Sequence, residues 1–225
     1  MVYFISGLGA DYRLFNNLDL TGIEHRFLNW LKPLKNEKFA DYLERLIAGI
    51  DQSQEVILVG VSFGGMAAQE IARRIPVKKV VLISSVKSEK EFDLRLKLPA
   101  LGRLDKPVPG FFMKWGAGLI ANYFFSIKTE ADAAFLKELI ETSYPELIKW
   151  SVRQVLSWKS AGEIPNLVHI HGDNDRVFPI GKIQNPIIVK GGGHFMVADQ
   201  AQEISLLLRK ELINASGPRA VPGGQ

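Results

Sequence analysis

The chain alternates between short apolar segments rich in β-branched residues and longer segments whose apolar residues recur at helical spacing. A continuous apolar run of four to eight residues is typical of a strand buried on both faces of a parallel sheet. Five such runs predict strands, and a weaker run at residues 25–28 predicts a sixth. The five stronger runs are residues 2–5, 56–59, 80–83, 167–170 and 187–189.

Amphipathic helical patterns lie between several of these strands. Residues 38–50, 66–75 and 200–213 each place their apolar side chains three or four positions apart. Pro76 follows the second pattern and cannot continue a helix. Strands that alternate with helices predict an α/β fold, in which helices cover a mostly parallel sheet.

One long interval breaks this alternation. Residues 86–165 separate the strand at 80–83 from the strand at 167–170, and they are too many for a structureless connection in a compact domain. Helical patterns at 130–141 and 145–158 predict a helical insertion over one end of the sheet. The predicted organisation is a core of residues 1–85 and 166–214, a helical cap of residues 86–165 and a disordered tail of residues 215–225.

Composition narrows the classes of protein that fit this pattern. The 225 residues are 47% hydrophobic and 23% charged, which is typical of a globular protein. The net charge of +4 is scattered along the chain, and no basic cluster indicates a nucleic-acid partner. The chain has no cysteine, which excludes disulfides, zinc–thiolate sites and a thiol nucleophile. No signal peptide and no membrane span is predicted, so we expect a cytoplasmic protein.

A serine stands between glycines where the strand at 56–59 runs into the helix at 66–75. The pattern Gly60-x-Ser62-x-Gly64 is typical of a sharp turn that lifts a nucleophilic serine above the carboxyl edge of a sheet. The same spacing also occurs by chance, but the apolar strand before it and the alanine-rich helix after it favour a nucleophile. A phosphate-binding loop is disfavoured, because no Gly-Lys-Ser/Thr follows.

A nucleophilic serine needs a base, and His194 is the histidine best placed to supply one. It follows three glycines just beyond the strand at 187–189, where loops at the carboxyl edge of an open sheet bind ligands. For His25, His169 and His171, which lie in or beside strands, we favour a structural role.

The base in turn needs a carboxylate to orient it. Asp173 and Asp175 both leave the strand at 167–170 in the segment HGDNDRVFP. Either could accept the imidazole N–H, and either could instead cap a turn by bonding to nearby backbone. Because this segment is a loop, periodicity does not choose between the two.

The oxyanion formed during acyl transfer needs two hydrogen-bond donors. The backbone N–H of Phe63, directly after the serine, is the first candidate. The second candidate is the N–H of Leu8 in the segment ISGLGAD, where Gly7 and Gly9 allow a close bend. The alternative for this segment is a plain tight turn.

These motifs together resemble the α/β-hydrolase superfamily over about residues 1–213. The order Ser62, Asp175, His194 and the turn GVSFGG carry the resemblance. It points to Asp175, because the acid motif of that family is Gly-x-x-Asp followed by a proline, here Pro179. The chain departs from the family in reading Ser6-Gly7 where His-Gly is usual, and it begins directly at the first strand. The resemblance also implies that the cap is inserted where residues 86–165 lie.

The resemblance implies a serine hydrolase of the esterase type, which needs no cofactor and no metal ion. We expect a small-molecule substrate with an apolar acyl or alcohol group, in a pocket to which Phe124, Phe125 and Phe195 contribute. Phe124 and Phe125, like the other aromatic residues of the predicted cap, could instead form the core of the cap itself. A lyase and a slow-turnover ligand receptor remain alternatives, since the same fold supports several functions. The other aromatic residues of the predicted cap are Phe111, Phe112, Trp115 and Tyr123.

Overall fold

The computed structural model describes residues 1–92 and 122–215, and in them a single sheet carries the predicted strands. All neighbouring strands of this sheet are parallel, and their order is β2-β1-β3-β4-β5-β6. The sheet confirms the predicted α/β class, and each strand starts within two residues of its predicted position. The strands are β1 (Val2–Ile5), β2 (His25–Phe27), β3 (Ile57–Val61), β4 (Lys79–Ile83), β5 (Leu167–Gly172) and β6 (Ile187–Val189).

Both faces of the central strands are buried, which explains their continuous apolar sequence. In β1, Phe4 packs into one apolar cluster while Tyr3 and Ile5 pack into another on the opposite face. In β3, Val59 and Leu58 divide between the same two clusters. Side chains alternate between faces along a strand, so a strand covered on both sides needs apolar residues at every position.

Helices cover the two faces of the sheet. α1 (Phe39–Ile47) and α2 (Phe63–Ala72) bury Leu43, Ala67 and Ile71 on one face. α6 (Ala201–Ala215) buries Ile204, Leu208 and Leu212 on the other. The short helix α5 (Met196–Asp199) precedes α6. Within the two described stretches, no helix is long and apolar enough to cross a membrane.

Two helices of 13 residues lie in the described part of the long interval between β4 and β5. α3 (Glu130–Thr142) starts after Thr129, whose side chain accepts the N–H of Asp132, and α4 (Pro145–Ser157) has proline in its first turn. Both agree with the predicted helices to within one residue. The predictions that fall on Phe111, Phe112 and Trp115 lie outside the described residues. Of the predicted tail, residue 215 ends α6, and residues 216–225 also lie outside the described part.

The start of α2 differs from the sequence prediction. The helix begins at Phe63, three residues before the predicted start, and includes Gly64 and Gly65. Glycine disfavours helices, but a Cβ on Gly64 would lie 2.3 Å from the Ile5 carbonyl oxygen. Close packing of α2 against the end of β1 therefore requires glycine there and outweighs its low helix propensity.

Candidate active site

The predicted catalytic residues and oxyanion donors lie where the chain leaves the carboxyl ends of β1, β3, β5 and β6. Because these strands are parallel, their carboxyl ends meet at one edge of the sheet, where open α/β sheets bind ligands. Ser62 lies between β3 and α2, Asp175 follows β5, and His194 follows β6. The sequence predicted that these residues share one edge of the sheet. Which side chains touch depends on the conformation of each loop.

Ser62 sits in a strained backbone conformation between β3 and α2. Its φ of 53° and ψ of −118° form a backbone conformation that residues other than glycine rarely adopt. Such strain persists only where the surrounding structure holds the residue in place. The Ser62 N–H donates to the Ile83 carbonyl at 3.0 Å, and its own carbonyl accepts the Ser85 hydroxyl at 2.7 Å. A Cβ on Gly60 would lie 2.4 Å from the Gly64 carbonyl oxygen. The flanking glycines thus permit the crossing that presents the serine.

His194 contacts Ser62 directly, with 2.9 Å between Nε2 and the serine Oγ. Its Nδ1 lies 2.8 Å from Oδ2 of Asp175. A carboxylate only accepts hydrogen bonds, so Nδ1 carries the proton and Nε2 is left to accept the serine hydroxyl. The rings of Phe125 and Phe178 meet the imidazole edge-to-face at 5.0 and 5.4 Å. The His194 ring is therefore held in one orientation and one tautomer.

Asp175 is buried and fully engaged. Besides the imidazole, it accepts the backbone N–H groups of Val177 and Phe178 on Oδ1, both at 2.8 Å. Burial alone would raise the pKa of Asp175, but the charge and hydrogen bond of His194, with smaller contributions from His171 and the Phe178 N–H, hold that pKa below its ordinary value. Asp175 is thus ionised at neutral pH and able to stabilise a positive charge on His194.

Asp173, the other candidate, does not reach the histidine. It is exposed, and its Oδ1 accepts the N–H of Gly191 at 2.7 Å. That bond joins the loop after β5 to the loop after β6. The structure therefore brings Asp175 to His194 and leaves Asp173 to connect the two loops that carry the pair.

The two candidate oxyanion donors lie on either side of Ser62. Phe63 is the first residue of α2, so its N–H belongs to the first turn, which has no acceptor within the helix. On the other side, a Cβ on Gly7 would lie 3.4 Å from the Ser62 Cβ, which places the loop after β1 against the serine. The Leu8 side chain packs with Phe63 and Met66. The roles of both amides stay predictions.

His169 and His171 lie beneath the site on β5. Burial lowers the pKa of both, that of His169 to about 3, and keeps both neutral. Nε2 of His171 lies 2.7 Å from the Phe178 carbonyl oxygen and therefore donates to it. The Ser85 backbone approaches the His169 ring, yet neither ring nitrogen of His169 has a hydrogen-bond partner among the described residues. His25 lies away from the site on β2, with its ring bonded to the Ile23 carbonyl.

The three predicted pocket residues have different surroundings. Phe125 is half-buried and meets the His194 ring. Phe124 is half-buried, and its ring contacts Tyr123. Phe195 is buried in the core cluster beside the ring of Phe135. The structure thus brings Phe125 to the candidate base, and the substrate contacts of all three stay predictions.

Trp30 is a neighbour of the site that sequence reasoning missed. Its ring stacks on Phe63 with centroids 5.0 Å apart, and its Nε1 donates to the Gly7 carbonyl at 3.3 Å. Trp30 follows β2, which pairs with β1, so its loop lies beside the loop that carries Gly7. The weak strand pattern at residues 25–28 was the available signal, because pairing of this strand with β1 brings the residues after it beside the loop that carries Gly7.

No metal site is evident in the described stretches, because no group of three or more His, Asp or Glu side chains there could hold an ion. The polar groups at the carboxyl edge form a hydrogen-bonded series of a hydroxyl, an imidazole and a carboxylate, an arrangement that can pass a proton from serine to histidine.

Comparisons with known proteins agree with this architecture. The family model described as "Alpha/beta hydrolase family" matches residues 3–205. A search of curated proteins finds no match. Among solved structures, a bromoperoxidase from Bacillus anthracis is 20% identical with a TM-score of 0.69, the alignment covering 94% of this chain and 91% of that one.

Two further solved structures share the fold. A thermophilic esterase from Thermogutta terrifontis is 17% identical with a TM-score of 0.69, and the alignment covers 95% of this chain and 89% of that one. A meta-cleavage product hydrolase from Pseudomonas fluorescens IP01 is 17% identical with a TM-score of 0.66, with 95% and 90% covered. At these identities the likeness establishes the fold alone.

Proposed function

The chain belongs to the alpha/beta hydrolase family, and on this basis we propose that it is a serine hydrolase that cleaves carboxylic esters through a covalent acyl-enzyme. One observation carries the proposal. Ser62, His194 and Asp175 form a continuous hydrogen-bonded series, with 2.9 Å between the first pair and 2.8 Å between the second. The series starts at a serine held in a strained turn, which supports a nucleophile.

In the first half of the proposed reaction, Ser62 Oγ attacks the ester carbonyl carbon. His194 Nε2 takes the hydroxyl proton, and Asp175 stabilises the resulting imidazolium through Nδ1–H. The N–H groups of Phe63 and Leu8 stabilise the negative charge that develops on the carbonyl oxygen. His194 then protonates the departing alcohol, and the acyl group stays on Ser62.

In the second half, His194 takes a proton from water, which attacks the acyl carbon, and the acid product leaves as Ser62 regains its proton. A thioester would follow the same path with a thiol as the leaving group. The proposed roles require no metal ion and no organic cofactor.

We propose a small-molecule substrate with an apolar acyl or alcohol group. Phe125 lies against His194 and is partly buried, so it offers apolar surface beside the reacting atoms. α3 and α4, inserted between β4 and β5, act in this proposal as part of a cap. α4 packs against α1 and α2 through Trp150, whose ring lies 4.3 Å from that of Tyr42 and 6.3 Å from that of Phe63. The fold neighbour described as an esterase agrees with ester hydrolysis.

Turnover of a series of p-nitrophenyl esters tests the proposal. A hydrolase releases many equivalents of nitrophenol per chain, and Ser62→Ala abolishes that release. A ligand receptor that keeps the triad would release about one equivalent and then stop. A lyase would release little from any ester, and either result would contradict the proposed function.

A further inference from the structure

The carbonyl of Gly7 is held by two donors. The N–H of Ala10 approaches it at 3.2 Å from within the loop, and the indole N–H of Trp30 at 3.3 Å from outside it. The Gly7 carbonyl and the Leu8 N–H belong to the same peptide unit. That unit is trans, because the structure has no cis peptide bond among the described residues, so the two groups point in opposite directions. Whatever fixes the Gly7 carbonyl therefore also aims the Leu8 N–H.

Trp30 is itself well anchored. Its ring stacks on Phe63 with an interplanar angle of 16°. The next residue, Leu31, is fixed at both backbone groups by the Tyr42 hydroxyl, which accepts its N–H and donates to its carbonyl, each at 2.8 Å. Tyr42 is buried and belongs to α1. The indole N–H that bonds Gly7 therefore belongs to a side chain and a backbone segment that are both fixed.

The loop that receives this bond contains two glycines. Gly7 and Gly9 lack side chains, and Gly9 adopts a φ of 73°. The Ser6 hydroxyl donates to the Ala10 carbonyl at 2.7 Å, and with the Ala10–Gly7 bond it closes the loop on itself. Neither bond ties the loop to the rest of the protein, whereas the Trp30 bond does. Oxyanion donors act strongly only when their direction is fixed before the charge develops.

We propose that Trp30 is a positioning residue for the oxyanion site, acting through the Gly7 carbonyl to aim the Leu8 N–H at the developing negative charge. The inference rests on the proposed function. It also explains why one side chain contacts both peptide segments that supply the proposed donors: its ring stacks on Phe63, and its N–H bonds the Gly7 carbonyl, which shares a peptide unit with the Leu8 N–H. Trp30 need not touch the substrate.

The Trp30→Phe variant tests this role, because it keeps a stacking ring and removes the N–H. We expect kcat to fall on the order of 10-fold, less than the 10²–10³ typical of losing a donor outright, with KM nearly unchanged. The affinity of a short alkylboronic acid, which forms a tetrahedral adduct on a reactive serine, should fall by a similar factor. The product acid makes no such adduct, and its inhibition constant should stay the same.

Trp150→Phe is the matched control. The Trp150 Nε1 also donates to a backbone carbonyl, that of Glu37 at 2.8 Å, and its ring also packs near Phe63 and Tyr42. It makes no hydrogen bond to the loop after β1. The control loses a shorter hydrogen bond from the same aromatic cluster but leaves the Gly7 carbonyl untouched. Its kcat and boronic acid affinity should therefore stay within about twofold of wild type.

A Trp30→Phe enzyme with unchanged kcat and boronic acid affinity would overturn the inference, as would equal losses in both tryptophan variants. A loss in Trp30→Phe that persists in full in a folded Leu8→Pro background would also overturn it, since the effect would not pass through the Leu8 N–H. Failure of the proposed function is distinguishable. Wild type itself would then neither turn over esters nor bind the boronic acid, and the inference would fall with it.

Discussion

The two sides of Ser62 are held in different ways. On the acid side, Asp175 accepts hydrogen bonds from the His194 ring and from two backbone N–H groups, all at 2.8 Å. On the oxyanion side, the Gly7 carbonyl accepts bonds of 3.2 and 3.3 Å in a glycine-rich loop. Short charge-assisted bonds to a buried carboxylate define its position more strongly than longer neutral bonds define a loop. Substitutions on the acid side should therefore change the protonation chemistry of His194. Substitutions on the oxyanion side should change the orientation of the Leu8 N–H.

The largest expected effect separates the two aspartates of the acid side. Asp175→Asn should lower kcat by about 10⁴, the size seen when a serine-hydrolase triad loses its carboxylate, because the histidine is left in the wrong tautomer. Asp173→Asn should cost less than about 10-fold, since the only hydrogen bond of the Asp173 side chain among the described groups is to the Gly191 N–H. Steady-state kinetics with circular dichroism as a folding control measure both. Equal losses would mean that His194 is oriented by something other than Asp175.

The next effect addresses the oxyanion side. Leu8→Pro removes the backbone N–H and should lower kcat on the order of 10²–10³, as the loss of one oxyanion donor does elsewhere. Leu8→Ala keeps the N–H and should retain most activity, although Leu8 packs with Phe63. Comparing kcat for the two folded variants separates the amide from the side chain. A folded Leu8→Pro enzyme with normal kcat would place the second donor elsewhere.

The acid side also contains a buried pair of neutral histidines, and this should make stability depend on pH. The pKa of His169 is about 3 in the folded protein and about 6.5 when unfolded, so the unfolded chain binds an extra proton between these values. Stability therefore falls as pH falls through that window, by up to about 1.4 kcal/mol per pH unit for this group. His169→Phe should remove that part of the slope. Urea unfolding between pH 6.5 and 5 measures it, and parallel slopes for the two proteins would contradict the burial argument.

The smallest effect concerns substrate choice. One methylene in an apolar pocket is worth about 1–3 kcal/mol. Phe124→Ala or Phe125→Ala should therefore change the ratio of kcat/KM between long and short acyl chains by roughly 10-fold and so alter their ranking. Acetate esters should react nearly as before with Phe124→Ala. Phe125→Ala should also slow them somewhat, because its ring contacts His194. An unchanged ranking, with all esters slowed alike, would mean that both rings pack within the cap and do not line the substrate pocket.

The parts of the molecule that could be predicted are those governed by local pattern. Continuous apolar runs marked β1, β3 and β4, because strands buried on both faces need apolar residues throughout. β2 gave a weak signal since it lies at the sheet edge, where its residues are half-buried or exposed. The positions of Ser62 and His194 at the carboxyl edge were predictable, because glycines flank Ser62 after one strand and three glycines precede His194 after another.

The parts that could not be predicted depend on contacts between distant segments. Asp173 and Asp175 occupy similar positions in one loop, so the residues alone left both open. The family resemblance pointed to Asp175, and the path of the chain from β6 brings Asp175 to His194. Trp30 and Trp150 carry no motif, yet each donates its indole N–H to a loop carbonyl, Trp30 to that of Gly7 beside Ser62 and Trp150 to that of Glu37. Side-chain direction in loops follows tertiary packing, which no periodicity records.

The most direct test of the account is covalent labelling with a fluorophosphonate, followed by mass spectrometry of the labelled peptide. The account predicts one label per chain, on Ser62, and no label on Ser62→Ala. Ser84→Ala is the matched control, because Ser84 also follows a strand of the same sheet in a positive-φ conformation, at 46°, and its Oγ has no hydrogen-bond partner among the described residues. That variant should label like wild type. Labelling that persists in Ser62→Ala, or a wild-type protein that takes no label, would contradict the claim that Ser62 is an activated nucleophile.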